Sequence, residues 1–363
     1  MTSPLIALDA RLAWGTATGD STYWTGLILG LAEASFPATF LLFSDQPRPA
    51  QLPDVPHLRW RQITARNPRF WSLVTFPLAA RKAGATRVHT QYNLSPLVRR
   101  GGITTIHDVS FFIGPDWFRP RDRLLLQKFV PRSAQRAQAV LTVSETSKAE
   151  IEHWIPRARG KTWVTPNALN PLLPQVEPDE AAAHRLRLGI DEDPYLLCVG
   201  TRWPRKNTAL ALEATRRLSR EFPHRLLLTG KEGWGPEELH DRVVPTGYVR
   251  WPELAALYQG ASLTLIPSWH EGFGLVPLEA WSQGCPVLAS SGGALPEIVR
   301  DSEAIVPTWE PDAWAAKIEN LLADSSTLDA MTQAGRTRLA DFSWRQTATA
   351  TWAAYQLGAD GAV

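Results

Sequence analysis

Short apolar runs alternate with longer helical patterns along the whole chain. In the first half, apolar runs predict strands at 5–8, 38–43, 87–90, 102–107 and 139–143. Apolar residues at helical spacing predict helices between them, such as 22–34 and 123–137. The second half repeats this scheme, with strands predicted at 195–199, 225–229, 246–249, 263–266 and 287–289. Strands that alternate with helices are typical of parallel sheets covered on both faces.

Two successive sets of such strands and helices predict two doubly wound α/β domains. We expect the first over 1–170 and the second over 194–342. The segment 171–193 carries prolines and acidic residues, so we interpret it as a linker. In open α/β sheets, ligands bind beyond the carboxyl ends of the strands, and we therefore expect the chemistry at those ends.

The most informative stretch is the glycine-punctuated turn that begins at Glu271. It follows the apolar strand 263–266 and leads into a helix that contains Glu279 and stops at Gly284. Free backbone N–H groups and the helix dipole at such a turn attract an anion. Carboxylates do not bind phosphate. Two of them beside an anion site therefore indicate a ligand that has hydroxyl groups as well as phosphate, such as a nucleotide-sugar.

A second segment with candidate chemistry runs from Gly200 to Asn207, between a strand and a helix. Its adjacent Arg205 and Lys206 can neutralise a diphosphate, arginine as a bidentate fork and lysine as a point charge. A basic pair on a loop is more often solvated surface. The carboxylate turn in the same half of the chain favours the diphosphate.

Three further features lie at predicted strand ends. His107 follows 103–106 and suits either a proton carrier or a structural hydrogen-bond partner. Ser144 or Ser147 is expected to cap a helix. The glycines in 290–297 either let a ligand approach the backbone or form an ordinary loop.

Two further segments are relevant to metal binding and to membrane contact. The triplet 191–193 has an Asp-x-Asp form but precedes a strand, so we expect no metal there, and no zinc-type His/Cys spacing occurs. The segment 119–136 predicts a basic amphipathic helix. Its outer face is either solvated or in contact with an anionic membrane surface.

Composition and charge indicate a globular protein. Of 363 residues, 44% are hydrophobic and 20% charged, and the net charge of +2 gives no reason to expect nucleic acid as a partner. No apolar run approaches the roughly 18 residues that span a bilayer. The N-terminus reads as a first strand rather than a signal peptide, and the two cysteines lie in apolar contexts. We therefore expect a cytoplasmic protein, with peripheral contact at the inner face of the membrane as an alternative.

Together these segments resemble the family 4 retaining glycosyltransferases of the GT-B fold, in which two Rossmann-like domains face an inter-domain cleft. The stretch 271–279 is similar to that family's E-x7-E motif, and 200–207 to its G-T-x-x-P-R-K-N segment. The stretches 247–249, 254–258 and 292–297 follow in the same order. In the first half, 105–112 and 143–147 resemble a subset that often transfers mannose. The resemblance covers nearly the whole chain.

The resemblance implies roles for individual residues. Glu271 would face the donor sugar and Glu279 would accept hydrogen bonds from the ribose. Arg205 and Lys206 would hold the diphosphate, and His107 would lie near the reacting centre. Further donor contacts are expected from Gly15, Gly200, Arg202, Tyr248, Val249, Gly272, Phe273, Gly274 and Leu275. The first domain, 1–170, would bind the acceptor, and the second, 194–342, the nucleotide-sugar donor. The final segment 343–363 would form a helix that crosses back to the first domain.

Two departures from the family pattern stand out. The N-terminal loop that begins at Gly15 lacks the usual Gly-Ile-Gly, which puts its contacts in doubt. Asn167-Ala168 replaces an Asn-Gly.

The resemblance implies metal-independent, retaining transfer of a hexose from a nucleotide diphosphate sugar to a hydroxyl of a glycan or lipid-linked acceptor. GDP-mannose is favoured as donor, with a UDP-hexose next. Two alternatives stay open: a GT-B sugar-nucleotide epimerase and a non-catalytic nucleotide-sugar or glycan-binding protein.

Overall fold

A computed structural model describes residues 3–15, 19–190, 193–234 and 239–357. The chain divides into two compact units. Unit 1 comprises Met1–Pro115, Arg119–Ala168 and Ser343–Val363, and unit 2 comprises Asp116–Phe118 and Leu169–Phe342. Each unit is built around its own parallel sheet, which confirms the predicted class of two α/β domains.

Unit 1 contains a seven-stranded parallel sheet within its described residues, in the order β3-β2-β1-β4-β5-β6-β7. Its strands are β1 (Leu5–Asp9), β2 (Thr39–Ser44), β3 (Leu58–Gln62), β4 (Arg87–Gln91), β5 (Gly102–Thr105), β6 (Ala139–Thr142) and β7 (Thr162–Val164). All five strands predicted in this half are confirmed. The pattern missed β3 and β7 because these edge strands are short and partly exposed, so they lack a continuous apolar run.

Helices cover this sheet. They are α1 (Gly19–Glu33), α2 (Pro68–Phe70), α3 (Phe76–Lys82), α4 (Ser110–Ile113), α5 (Pro120–Arg136) and α6 (Glu145–Trp154), with a π-turn at Trp71–Thr75 and 3₁₀ turns at Pro115–Trp117 and Pro156–Ala158. Ser144 caps α6, because its side chain accepts a hydrogen bond from the N–H of Ser147. The predicted basic helix is α5, and Leu124 and Phe129 on it are 65% and 45% exposed.

Unit 2 contains a six-stranded parallel sheet in its described part, in the order β10-β9-β8-β11-β12-β13. Its strands are β8 (Tyr195–Val199), β9 (Arg225–Thr229), β10 (Val243–Gly247), β11 (Leu263–Ile266), β12 (Val287–Ser290) and β13 (Ile305–Val306). The predicted strand 246–249 begins three residues after β10 begins and ends two residues after β10 ends. Proline is tolerated in this edge strand, and the pairing with β9 is irregular beside Pro245.

Along the chain, the helices of unit 2 lie before its first strand, between most of its strands and after its last strand. They are α7 (Pro178–Arg187), α8 (Thr208–Arg217), α9 (Trp251–Gly260), α10 (Leu275–Ser282), α11 (Leu295–Val299), α12 (Pro311–Ala323) and α13 (Ser325–Leu339), with a 3₁₀ turn at Pro204–Lys206. The segment interpreted as a linker contains α7, and Arg185 on that helix donates to the carbonyl of Ala256 at 3.2 Å. Cys198 and Cys285 are both buried and free.

The last helix, α14 (Trp344–Gln356), belongs to unit 1 and packs on α1. Ser343 begins it with a capping box that Gln346 completes. Gly26 and Gly30 make the close approach possible, since a Cβ on Gly26 would lie 2.0 Å from the Trp344 ring. The end of the predicted C-terminal segment, residues 358–363, lies outside the described residues. In the described ranges, no helix is both long and apolar enough to cross a membrane.

Candidate functional site

The turn that carries Glu271 connects β11 to α10. Gly274 precedes the helix with φ +100°, a conformation that favours glycine. Gly293, with φ +60°, lies alongside the turn, where its neighbour Ala294 donates a backbone hydrogen bond of 2.8 Å to the Glu271 carbonyl. A Cβ on Gly293 would lie 2.3 Å from that carbonyl oxygen. The glycines in 290–297 were predicted to let a ligand approach the backbone. Gly293 instead lets the backbone of the Glu271 turn approach closely.

The Glu271 carboxylate is buried and receives three hydrogen bonds. Arg205 donates to Oε2 at 2.9 Å, and Lys206 and Ser268 donate to Oε1 at 2.7 and 2.6 Å. Two cations against one carboxylate leave this cluster with one net positive charge. An anionic group is therefore its natural ligand.

The environment keeps Glu271 ionised. Burial acts to raise the pKa of the carboxyl, but the charges of Arg205 and Lys206 and the hydrogen bonds from Lys206 and Ser268 outweigh it. The pKa of Glu271 therefore lies well below its usual range. An always-ionised carboxylate accepts hydrogen bonds from hydroxyl groups and is a poor proton carrier at neutral pH.

The loop after β8 holds the two cations. Asn207 ends its 3₁₀ turn at φ +50° and donates to the Pro267 carbonyl at 3.1 Å. Arg205 binds the neighbouring turn twice more, because its carbonyl accepts from the Trp269 N–H at 2.9 Å and its guanidinium donates to the His270 carbonyl. These contacts clamp the loop after β8 to the loop after β11.

Glu279 lies one helix turn inside α10 and is also buried. The Tyr258 hydroxyl donates to its Oε2 at 3.0 Å, and the Asn170 amide donates to its Oε1 at 3.3 Å. Burial raises the pKa of Glu279 to about 7, although both hydrogen bonds and the charge of Lys206 act to lower it. The pKa values of the two carboxyl groups of this motif are thus shifted in opposite directions.

His107 belongs to unit 1, where it follows β5. Its Nε2 has no hydrogen-bond partner among the described residues and lies 3.6 Å from Asp20 Oδ1. The ring packs edge-on against Tyr23, with 4.8 Å between centroids. Burial lowers the pKa of His107, and the charges of Asp20 and Asp108 counter this only in part. At neutral pH the imidazole is therefore uncharged.

Other predicted donor residues occupy varied settings. Gly200 has φ +135° and faces the Lys206 side chain. Arg202 pairs with Glu232 at 3.1 Å, and Tyr248 is 53% exposed, with Lys231 over its ring. The remaining ones are Val249 and Phe273, which are buried, Gly272 and Gly274 in the turn, Leu275 at the start of α10, and Gly15, which lies in unit 1.

The structure thus brings Arg205, Lys206 and Glu271 into direct contact in unit 2. Sequence reasoning did not identify Ser268 and Asn170 as partners of the two carboxylates. Ser268 could have been found from its position three residues before Glu271 and directly after an apolar strand. Asn170 carries no such signal, since 109 positions separate it from Glu279.

The Asp-x-Asp triplet, at which no metal is expected, consists of Asp191, Glu192 and Asp193. The first two lie outside the described residues. In the rest of the chain that the structure describes, no group of three or more His, Cys, Asp or Glu side chains could hold a metal ion.

Comparisons with known proteins identify the family to which this chain belongs. A family model described as "Glycosyl transferases group 1" matches residues 193–324, and one described as "Glycosyltransferase Family 4" matches residues 17–171. The O-antigen chain mannosyltransferase B of Escherichia coli is 33% identical over 267 residues, which cover 70% of each chain.

Solved structures share the fold. Sucrose-phosphate synthase of Thermosynechococcus elongatus superposes with a TM-score of 0.74 at 24% identity and covers 99% of this chain and 100% of its own. Anabaena HepE, in complex with UDP and glucose, gives a TM-score of 0.70 at 16% identity, with coverages of 97% and 98%. With the matches to both family models and to the Escherichia coli enzyme, this chain belongs to glycosyltransferase family 4 and is a glycosyltransferase of the GT-B fold.

Proposed function

We propose that the protein transfers mannose from GDP-mannose to a hydroxyl group of a glycan or lipid-linked acceptor, with retention of configuration and without a metal ion. The observation that carries this proposal is the cluster of the half-buried Arg205 and Lys206 with the buried Glu271, which combines a net positive charge with an ionised acceptor of hydroxyl hydrogen bonds. The choice of mannose rests on the likeness to the mannosyltransferase of Escherichia coli.

In this mechanism, the bond between the anomeric carbon of mannose and the diphosphate oxygen breaks as negative charge develops on the diphosphate. Arg205 and Lys206 stabilise that charge, which is the task that a metal performs elsewhere. The acceptor hydroxyl attacks from the face that the diphosphate leaves. Its proton passes to the departing phosphate oxygen, so GDP is released and the new glycosidic bond has the configuration of the donor.

Other residues hold the reactants. Glu271 accepts hydrogen bonds from sugar hydroxyl groups, and the backbone N–H groups of 272–274 bind further hydroxyls. Glu279 accepts from the ribose. A neutral His107 can donate a hydrogen bond to the sugar or the acceptor near the reacting centre, or accept one from it.

The acceptor and the setting of the enzyme are proposed from surface chemistry. The exposed Leu124 and Phe129 on the basic helix α5 suit the surface of an anionic membrane. We therefore place the protein in the cytoplasm, at the inner face of the membrane, where a lipid-linked acceptor would be presented.

Donor turnover tests the proposal against its two alternatives. Purified protein is incubated with GDP-mannose or UDP-glucose, with and without octyl α-mannoside as an acceptor probe, in the presence of EDTA. We expect GDP release that depends on the probe, and an α-linked product by NMR. Epimerised donor without acceptor would indicate an epimerase. Donor binding in a thermal-shift assay without turnover would indicate a binding protein, and loss of activity in EDTA would contradict the metal-independent mechanism.

A further inference from the structure

An exposed tryptophan interrupts the buried stretch that carries Glu271. From Leu263 to Gly274, every residue is buried except Trp269, which is 40% exposed. Burial of a large aromatic ring is favourable, so a ring left exposed within this buried stretch offers apolar surface to a ligand.

The backbone of Trp269 is held rigidly. Its N–H donates to the Arg205 carbonyl at 2.9 Å. On the other side, Gly292 approaches so closely that a Cβ there would lie 2.6 Å from the Trp269 carbonyl oxygen. The exposure of the ring is therefore a fixed property of the fold and does not come from a loose loop.

A second tryptophan fixes the orientation of the ring. Trp309 stacks on Trp269 with 5.2 Å between ring centroids and 29° between planes. Trp309 is itself anchored, because its Nε1 donates to the Ser268 carbonyl at 3.4 Å. Trp309 therefore covers one face of Trp269, while 40% of the residue stays exposed.

The strand order separates Trp309 from the cations. Trp269 follows β11 and Trp309 follows β13, whereas Arg205 follows β8 and Tyr248 follows β10. Since the order is β10-β9-β8-β11-β12-β13 and all strands are parallel, the expected nucleotide contacts lie on one side of the Glu271 turn. Trp309 lies on the other side, and the Trp269 ring stacks on it from within the turn.

We propose that Trp269, supported by Trp309, is a stacking platform for a pyranose ring of the acceptor glycan. The face of an aromatic ring is electronegative and attracts the slightly positive C–H groups on the flat side of a sugar. A ring that is already oriented loses little entropy when it binds. The assignment to the acceptor rests on the proposed function, in which the diphosphate and the donor sugar occupy the cations and Glu271.

Direct binding tests the platform independently of turnover. Saturation-transfer NMR measures the affinity of wild-type protein for mannotriose, maltotriose and chitotriose. We expect at least one trisaccharide to bind, and Trp269→Ala to weaken it by about tenfold, equivalent to 1.4 kcal/mol. Trp269→Phe should restore most of the affinity, whereas Trp269→Leu should not, since leucine is apolar but has no aromatic face.

Trp154→Ala is the matched control. Trp154 is 43% exposed and stacks on Phe112 in unit 1, so its loss should leave trisaccharide binding unchanged. GDP affinity should be the same in all variants. The inference is overturned if no trisaccharide binds the wild type, if Trp269→Ala binds as well as wild type, or if the variant loses GDP instead. Failure of mannosyl transfer with trisaccharide binding intact would reject the proposed function and leave the platform standing.

Discussion

The hydroxyl of Tyr355 lies 2.6 Å from Nδ1 of His89, although 266 positions separate the two residues. On the other side of the imidazole, Nε2 lies 2.8 Å from the Thr105 hydroxyl, which in turn lies 2.9 Å from that of Tyr23. Burial, and secondarily the charge of His107, lowers the pKa of His89 to about 3, so the ring is neutral and uses one nitrogen as donor and one as acceptor. A buried polar chain thus joins α14, β4, β5 and α1.

Removal of the Tyr355 hydroxyl is expected to destabilise unit 1. Tyr355→Phe leaves a buried nitrogen of His89 without its partner, which costs about 1–3 kcal/mol in the free energy of unfolding. Urea denaturation monitored by circular dichroism measures the loss. Tyr248→Phe, at a hydroxyl on an exposed side chain, is the control and should have little effect. Equal midpoints for Tyr355→Phe and wild type would contradict this account.

Neutralising Glu271 should separate ligand binding from turnover. The carboxylate competes with a diphosphate for Arg205 and Lys206, so Glu271→Gln should bind GDP more tightly by about tenfold, a modest share of one unit charge at close range. The same variant should lose most transfer activity, because the ionised acceptor for sugar hydroxyls is gone. Calorimetric GDP titration and product assays measure the two effects.

Glu213→Gln is the matched control for this experiment. Glu213 also accepts hydrogen bonds from two cations, Arg216 and Arg217, but on the exposed surface of α8. Its substitution should change neither GDP affinity nor turnover. Weaker GDP binding by Glu271→Gln would count against competition between the carboxylate and the diphosphate.

Glu279 predicts a pH dependence of stability. Its folded pKa of about 7 lies above the ordinary value of 4.5, so the folded state holds the proton more tightly. The free energy of unfolding should therefore fall as pH rises from about 4.5 to about 7, by roughly 3 kcal/mol from this group. Glu279→Gln should lack that part of the slope. The hydrogen bond from Tyr258 lowers the pKa of Glu279, so its loss in Tyr258→Phe should raise that pKa and shift the window to higher pH. Parallel stability curves for wild type and Glu279→Gln would refute this assignment.

A methyl group at Gly293 should displace the turn that carries Glu271. Gly293→Ala places Cβ 2.3 Å from the Glu271 carbonyl, so activity should fall about a hundredfold, as is typical when a reacting group moves by an ångström. Gly189→Ala separates this clash from backbone strain, because Gly189 has a similar φ of +72° but no atom within 4 Å of the added Cβ. The control should lose only about 1–2 kcal/mol of stability and keep its activity. Similar losses of activity in both variants would show that strain, and not the clash, is responsible.

Local sequence patterns predict the fold class and the main candidate residues of the site. Alternating apolar strands and helical patterns specify parallel sheets, because each pattern reflects a local periodicity of burial. The segments around Arg205 and Glu271 are equally local: a strand, a turn and a helix start within ten residues of each other. Edge strands such as β3 and β13 were missed because the same periodicity is weak where only part of a strand is buried.

How these groups interact depends on the three-dimensional fold. Glu271 pairs with two cations that follow another strand, and Trp269 stacks on Trp309 from another strand end. Glu271 and Glu279 have opposite pKa shifts because their surroundings differ. A sequence states which side chains are present but not which of them share a buried volume. Hydrogen bonds, charge coupling and exposure all depend on distances of a few ångströms, which exist only once the sheet has placed its carboxyl ends side by side.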